Sequence, residues 1–285
     1  MRLVSYQSDR GVRTAAVRAG ELVDLNDSID TLPADMIGLL NMGPEGIARA
    51  ATAATRGEGF SRESVRLLAP VPNPQKVICI GLNYADHARE SGVEPPPEPV
   101  VFNKFPSAVA APDEPIRLPA CVAEPDYEAE LVVVIGRGGR NISEQQALEH
   151  VVGYCCGHDV SARDWQLQKP GRQWLLGKTF DTFAPFGPEL VTAEEIANPN
   201  ELGIKLRLNG ETMQDSSTRE FIFNVQQVIA YVSGVCTLVP GDVIFTGTPP
   251  GVGMARDPQV FLKPGDVAEV EIEGIGVLRN PVTTA

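Results

Sequence analysis

Apolar positions in this chain recur mostly in short runs separated by Gly and Pro, several with a period of two. That pattern predicts strands more than helices. Met1–Tyr6, Arg13–Arg18 and Glu21–Asp24 form one such set, joined at Gly11 and Gly20, and predict a three-stranded meander. The pattern turns helical over Leu32–Met42 and over the Ala-rich Pro44–Thr55, which closes at Gly57. Ala69–Pro74 is dense in proline, hence stiff and extended. It divides a small amino-terminal unit, residues 1–70, from a larger one, residues 71–285.

In the larger unit Lys76–Gly81 has the pattern of a buried strand. Asn83–Gly92 reads as a short helix with Asn83 at its N-cap and Gly92 just past its end. The proline-rich Val93–Pro99 must be a loop. Further strands are expected at Val100–Asn103, Ile116–Leu118, Tyr127–Ile135, Val151–Cys156, Gly203–Leu208, Asp242–Phe245, Asp266–Ile272 and Val277–Asn280, with an Asn209-Gly210 hairpin. Helices are expected at Ser143–His150, opened by a capping box of Ser143 with Gln146, and at Val225–Gly234. Asp159–Leu167 reads as a turn entering a short helix. Many non-local strands and few helices predict a β-rich α+β fold, not a doubly wound one.

Composition narrows the function classes. The 285 residues are 43% hydrophobic and 21% charged, ordinary for a folded globular chain. The net charge of −13 and the absence of a basic patch argue against nucleic acid or an anionic membrane as partner. An anionic substrate would need local positive charge, for which Lys178, Arg163 and a bound cation are the candidates. Five irregularly spaced cysteines resemble neither a disulfide framework nor a zinc site and read as buried thiols. With no signal-peptide pattern and no apolar stretch of spanning length, the expected location is the cytosol.

The chemistry is concentrated in a few segments. Glu128 and Glu130 stand two apart at the start of an apolar strand, so their like charges share a face and resist burial. Either a hard divalent cation sits between them or both are hydrated at a strand end. Asp159 follows the strand Val151–Cys156 and is either a third oxygen ligand or a helix cap. His87 and Glu90, three apart on one helix face, are either a base with its orienting carboxylate or plain surface charges. Arg163 pairs with Asp164 or faces a site. Lys178, flanked by apolar residues, is a snorkelling side chain or a partly desolvated cation. The loop Gly247–Gly253 offers backbone N–H donors suited to a carboxylate and is no Walker A loop.

Taken in order, five segments resemble the fumarylacetoacetate hydrolase superfamily: Gly81–His87, Asp126–Leu131, Asp159–Gln166, Gly177–Asp181 and Phe245–Gly253. The tail, Phe261–Asp266 with Ile272–Gly276, is similar to the branch of FAH domain-containing 2 and acylpyruvase-like members. The resemblance implies a mixed β-roll catalytic domain, usually homodimeric, behind a small N-terminal β/α domain. It implies a divalent metal (Mg²⁺, Mn²⁺ or Ca²⁺) on Glu128, Glu130 and Asp159. It further implies a water-activating dyad of His87 and Glu90, and substrate contacts from Arg163, Gln166, Lys178, Gly247 and Thr248. One departure is visible: His158 stands where Asn is frequent.

The implied substrate is a small 2-oxo acid with a second carbonyl or carboxylate beta to the first. The first expectation is hydrolysis of a C–C bond in a 2,4-dioxo acid of the acylpyruvate or fumarylpyruvate type, through an enolate held by the metal. The alternative keeps the same site but acts on oxaloacetate, as a decarboxylase or keto–enol tautomerase. Specificity beyond C4 is expected to come from Val93–Pro99 and Val100–Pro112.

Overall fold

The computed structural model describes residues 1–92 and 94–285. Among these, twelve strands form one sheet. Its main path runs Gly59–Ser61, Glu21–Asp24, Gly11–Arg18, Arg2–Ser8, Ala184–Thr192, Val151–His158, Ala129–Ile135, Val243–Phe245, Val77–Gly81 and Val100–Lys104. A second sheet joins Glu211–Ser217, Gly203–Leu208, Val267–Ile272, Gly276–Thr284 and Ile116–Leu118. The β-rich α+β class expected from the pattern is what the chain adopts.

The strand Ala129–Ile135 is buried along its whole length, on both faces. Leu131, Val133 and Ile135 join the core shared with Ile204, Leu206, Val270 and Leu278 of the second sheet. Val132 and Val134 join the core shared with Leu39, Leu40, Ala50 and Ala53 of the amino-terminal helices. A period-two strand thus reads as a continuous apolar run because each face meets a different layer. The strand is thereby fixed firmly enough to carry charged residues at its start.

The amino-terminal meander is present as expected, with strands Arg2–Ser8, Gly11–Arg18 and Glu21–Asp24. Its first strand also pairs antiparallel with Ala184–Thr192, through Arg2 opposite Val191 and Leu3 opposite Leu190. The sheet therefore continues across the boundary at Ala69–Pro74. After a one-turn helix at Leu25–Ser28, the first of the two expected helices spans only Met36–Asn41, because the Asp35 side chain caps it at the Gly38 N–H, 2.9 Å away. The second spans Gly43–Arg56.

Three local expectations are corrected. The short helix spans Ala85–Ser91 with Tyr84, not Asn83, at its N-cap. The Asn83 side chain instead donates to Phe223 O and Thr246 O and accepts from Phe223 N, so a tertiary bridge takes the place of a cap. Glu144–His150 is a 3₁₀ helix without a capping box, since Ser143 Oγ donates to Gln146 Oε1 and accepts no backbone N–H. After Asp159, a short strand Ser161–Ala162 pairs with Pro125–Asp126 before the π-helical turn Asp164–Gln168. Of the expected proline loop, Val93 lies outside the described residues, and 94–99 has no regular structure. Cys79, Cys155 and Cys156 are buried free thiols, whereas Cys121 is exposed.

Candidate active site

The sheet brings the expected segments to one cavity of about 540 Å³. Glu128 lies in irregular backbone between Pro125–Asp126 and Ala129–Ile135, and Glu130 is the second residue of that longer strand. Asp159 follows the neighbouring strand Val151–His158, and its N–H donates to Glu128 O at 2.9 Å. One oxygen from each of the three carboxylates lies within 4.8 Å of the others, and all three residues are buried. Asp159 caps no helix: its side chain faces cations.

Those cations come from far away in the chain. Lys178 Nζ bridges Glu128 Oε2 at 2.6 Å and Asp159 Oδ2 at 2.9 Å. Arg163 holds Asp126 Oδ2 at 2.8 Å, Glu128 Oε1 at 2.6 Å and Gln166 Oε1 at 2.9 Å. Lys104, fully buried, lies 2.5 Å from Asp159 Oδ1 and donates to the carbonyls of Val160 and Phe183. Sequence reasoning missed Lys104, and its signal was only a lone Lys at the end of a strand. The close approach of Lys178 depends on Gly177: a Cβ there would come within 2.6 Å of the Gln166 backbone nitrogen.

Four carboxylates (Asp126, Glu128, Glu130 and Asp159) thus face three cations, and the imbalance falls on Glu130. Burial works against the charge of Glu128, but Lys178 and Arg163 pull its pKa down to about 2. Glu130 has no basic side chain within ion-pair distance among the described residues. Burial, Asp159 and Glu128 push its pKa well above the usual carboxylate range. Its one hydrogen bond there is to the Gly247 N–H, at 2.9 Å on Oε2. An all-oxygen, electron-rich cluster with one uncompensated carboxylate fits a hard divalent cation, since such an ion relieves the repulsion that burial creates. Burial, together with the Lys104 charge, depresses the pKa of adjacent His158 to about 3, and its Nε2 finds no partner, so it packs as a neutral ring.

The glycine-rich loop binds carboxylates, as expected, but they are the protein's own. Gly247 donates to Glu130, Gly251 to Glu90 at 3.0 Å, and Gly253 and Met254 to Asp126 at 2.7 and 3.1 Å. The Gly247 N–H expected for substrate is therefore engaged. The residue sits at φ +105°, and a Cβ would meet Asn83 at 2.7 Å. Thr248 lines the cavity and accepts from Gln214 Nε2 at 2.9 Å.

His87 and Glu90 also line the cavity, with His87 Nδ1 3.1 Å from Glu90 Oε2. That contact directs Nε2 to be the free ring nitrogen. Gln166 and Lys178 complete the set. Of the stretch expected to govern specificity, Phe102 is the one residue lining the cavity among those described; the rest of the rim comes from Leu167, Arg172, Trp174, Val252, Met254 and Ala255.

Residues 76–283 match the family model of the fumarylacetoacetate (FAA) hydrolase C-terminal domain. The chain is 49% identical to "Oxaloacetate tautomerase fahd2, mitochondrial" of Xenopus laevis, over 99% of this chain and 90% of that protein. It is 46% identical to human "Oxaloacetate tautomerase FAHD2A, mitochondrial", over 99% and 91%. Among solved structures, fumarylacetoacetate hydrolase from Exiguobacterium antarcticum superposes with a TM-score of 0.89 at 38% identity, covering all of both chains. Maleylpyruvate hydrolase from a Sphingobium species, in complex with manganese(II) and pyruvate, gives 0.83 at 31%, again over both whole chains. The names of the Xenopus and human relatives place those proteins in mitochondria, which overturns the expectation of a cytosolic location. By its matched domain, its close relatives and its fold, this chain belongs to the fumarylacetoacetate hydrolase family.

Proposed function

We propose that this protein interconverts the keto and enol forms of oxaloacetate. The observation that carries the reading is the likeness, over nearly the whole chain, to relatives named oxaloacetate tautomerases. Sequence reasoning put hydrolysis of 2,4-dioxo acids first and this chemistry second, and the relatives reverse that order. Glu128, Glu130 and Asp159 would hold Mg²⁺ or Mn²⁺. The cation, when bound, supplies Lewis-acid stabilisation of negative charge on the 2-oxo oxygen.

The chain's own residues supply the proton transfer. Glu90 fixes the His87 ring through Nδ1, leaving Nε2 to take the proton from C3 of the substrate. The C3–H electrons form the C2–C3 double bond, and the imidazolium returns the same proton to the C2 oxygen. No water, oxidant or co-substrate is consumed. A positioned base of this kind contributes about 10²–10⁴-fold. Burial opposes the charge of Lys178, but Asp159 and Glu128 keep it an ammonium. Its third N–H then stabilises the enolate oxygen, a role worth roughly 3 kcal/mol. The amide N–H groups of Gln166 offer a second donor, since Arg163 already holds its oxygen.

The test follows the ultraviolet absorbance of enol oxaloacetate as it relaxes to the keto form. With Mg²⁺ or Mn²⁺ the protein should accelerate that relaxation, and His87→Ala should slow the enzymatic rate about 10²–10⁴-fold. No acceleration by the unaltered protein with either metal would overturn the reading. Hydrolysis remains as a second reading because the same His87–Glu90 pair suits water activation and the fold is shared with a maleylpyruvate hydrolase. Metal-dependent loss of acetylpyruvate absorbance, without effect on oxaloacetate, would favour it.

A further inference from the structure

Three basic side chains line the cavity: Arg163, Lys178 and Arg172. The first two are engaged by the protein's own acids. Arg163 uses Nε on Asp126, Nη2 on Glu128 and Nη1 on Gln166, and Lys178 bridges Glu128 and Asp159. Arg172 makes no ion pair and no side-chain hydrogen bond among the described residues, although its side chain faces a protein of net charge −13. It stands at the exposed rim, in a turn between the π-helical segment Asp164–Gln168 and the helix Trp174–Lys178.

That turn is built. The Arg172 N–H donates to Lys169 O and the Trp174 N–H to Arg172 O, both at 3.0 Å, and Gln173 Nε2 donates to Pro170 O at 2.8 Å. Gly171 and Arg172 both take left-handed backbone, at φ 77° and 54°. A non-glycine residue holds that conformation only when its surroundings enforce it. Trp174 anchors the far end of the turn by stacking edge-on against Phe102 at a centroid distance of 5.4 Å, in the cavity wall.

We propose that Arg172 determines specificity by binding the distal carboxylate of a dicarboxylic substrate, selecting it over acids with an uncharged tail. The inference rests on the oxaloacetate reading. In that reading the 2-oxo acid end meets the acidic triad and Lys178 deep in the cavity, and the second carboxylate extends toward the rim. A guanidinium with all its donors unengaged is the group suited to grip a carboxylate there, and it does so through two parallel N–H bonds. The positive charge at the mouth also counters the repulsion that an acidic protein imposes on a dianion.

Malate and lactate separate this inference from the activity, because they differ in the distal carboxylate and neither is turned over by keto–enol exchange. In calorimetric titrations of the Mn²⁺-loaded protein, malate should bind about tenfold more tightly than lactate. Arg172→Gln should abolish that preference by weakening malate alone, and Arg172→Lys should keep part of it. In parallel, Arg172→Gln should raise KM for oxaloacetate about tenfold with little change in kcat. An unaltered protein without malate preference, or an Arg172→Gln variant that retains it, overturns the assignment. Turnover failing while the Arg172-dependent malate preference persists would instead remove the tautomerase reading and leave Arg172 as a carboxylate clamp.

Discussion

Arg13 and Asp24 in the amino-terminal meander meet through two contacts of 2.5 Å, one to each oxygen of the carboxylate, with Tyr6 donating to one oxygen and the Asp27 N–H to the other. Glu130 in the larger unit is buried more deeply still, and one Gly247 N–H is its only hydrogen-bond donor among the described residues. Burial pushes both carboxyls toward the neutral form. At Asp24 the bonds from Arg13 and Tyr6 overcome it and hold the group below the ordinary carboxylate range. At Glu130 the neighbouring Asp159 and Glu128 add to it and drive the group far above. A closed cluster, with every acid matched, ties strands and a turn together. An open one, with an acid in excess beside a cavity, keeps a place for an outside cation.

The sharpest way to break that contrast is to neutralise the unmatched acid. Glu130→Gln should cut metal-dependent turnover roughly 10³-fold and remove the rise in melting temperature that Mn²⁺ produces. The same variant, metal-free, should melt at or above the unaltered protein, because a repelled buried charge is gone. A fall in its metal-free melting temperature would mean that Glu130 belongs to the structural kind.

Arg13→Met should do the reverse. Breaking a buried pair from one side leaves Asp24 unmatched and should cost about 3–5 kcal/mol in denaturant unfolding. Turnover per folded molecule should stay unchanged, since the cluster is far along the sheet from the cavity. An activity loss in proportion to the stability loss would show the two regions to be coupled.

The pH dependence gives a smaller effect. The folded pKa of Asp24 lies below its ordinary 3.8. Its contribution to stability is therefore complete above that value and is lost as pH falls through the folded pKa. Asp24→Asn should be less stable at neutral pH, and the gap should narrow below pH 3.8. Melting temperatures of both proteins across the acid range would check this, and a constant gap would refute it.

Several of these features were legible in the chain. Leu131–Ile135 reads as a buried strand, and the two acids at its start read as either hydrated or met by a cation; the fold buries both and gives Glu128 to Arg163 and Lys178. The period of His87 and Glu90 put them on one helix face, and the structure keeps them 3.1 Å apart. Local chemistry misled where a tertiary partner outbid it: Asn83 looks like an N-cap but bridges Phe223 and Thr246 across 140 and 163 residues. Ser143 and Gln146 have the spacing of a capping box without its backbone bonds.

The sequence by itself determined the strand-rich class, because that follows from side-chain period and local turn chemistry; the acidic set of the site and the order of its segments followed from the family resemblance, since spacing alone left Asp159 a cap or a ligand. Only the tertiary structure decided which acids are matched. Lys104, Arg163 and Lys178 reach Asp159 and Glu128 from separate segments, and Gly247 gives its N–H to Glu130 from 117 residues away. Arg172 likewise looks like any surface arginine until the fold sets it on the rim. Electrostatic pairing acts through space over a few ångströms, so no reading along the chain could settle whether each charge would be met or left open.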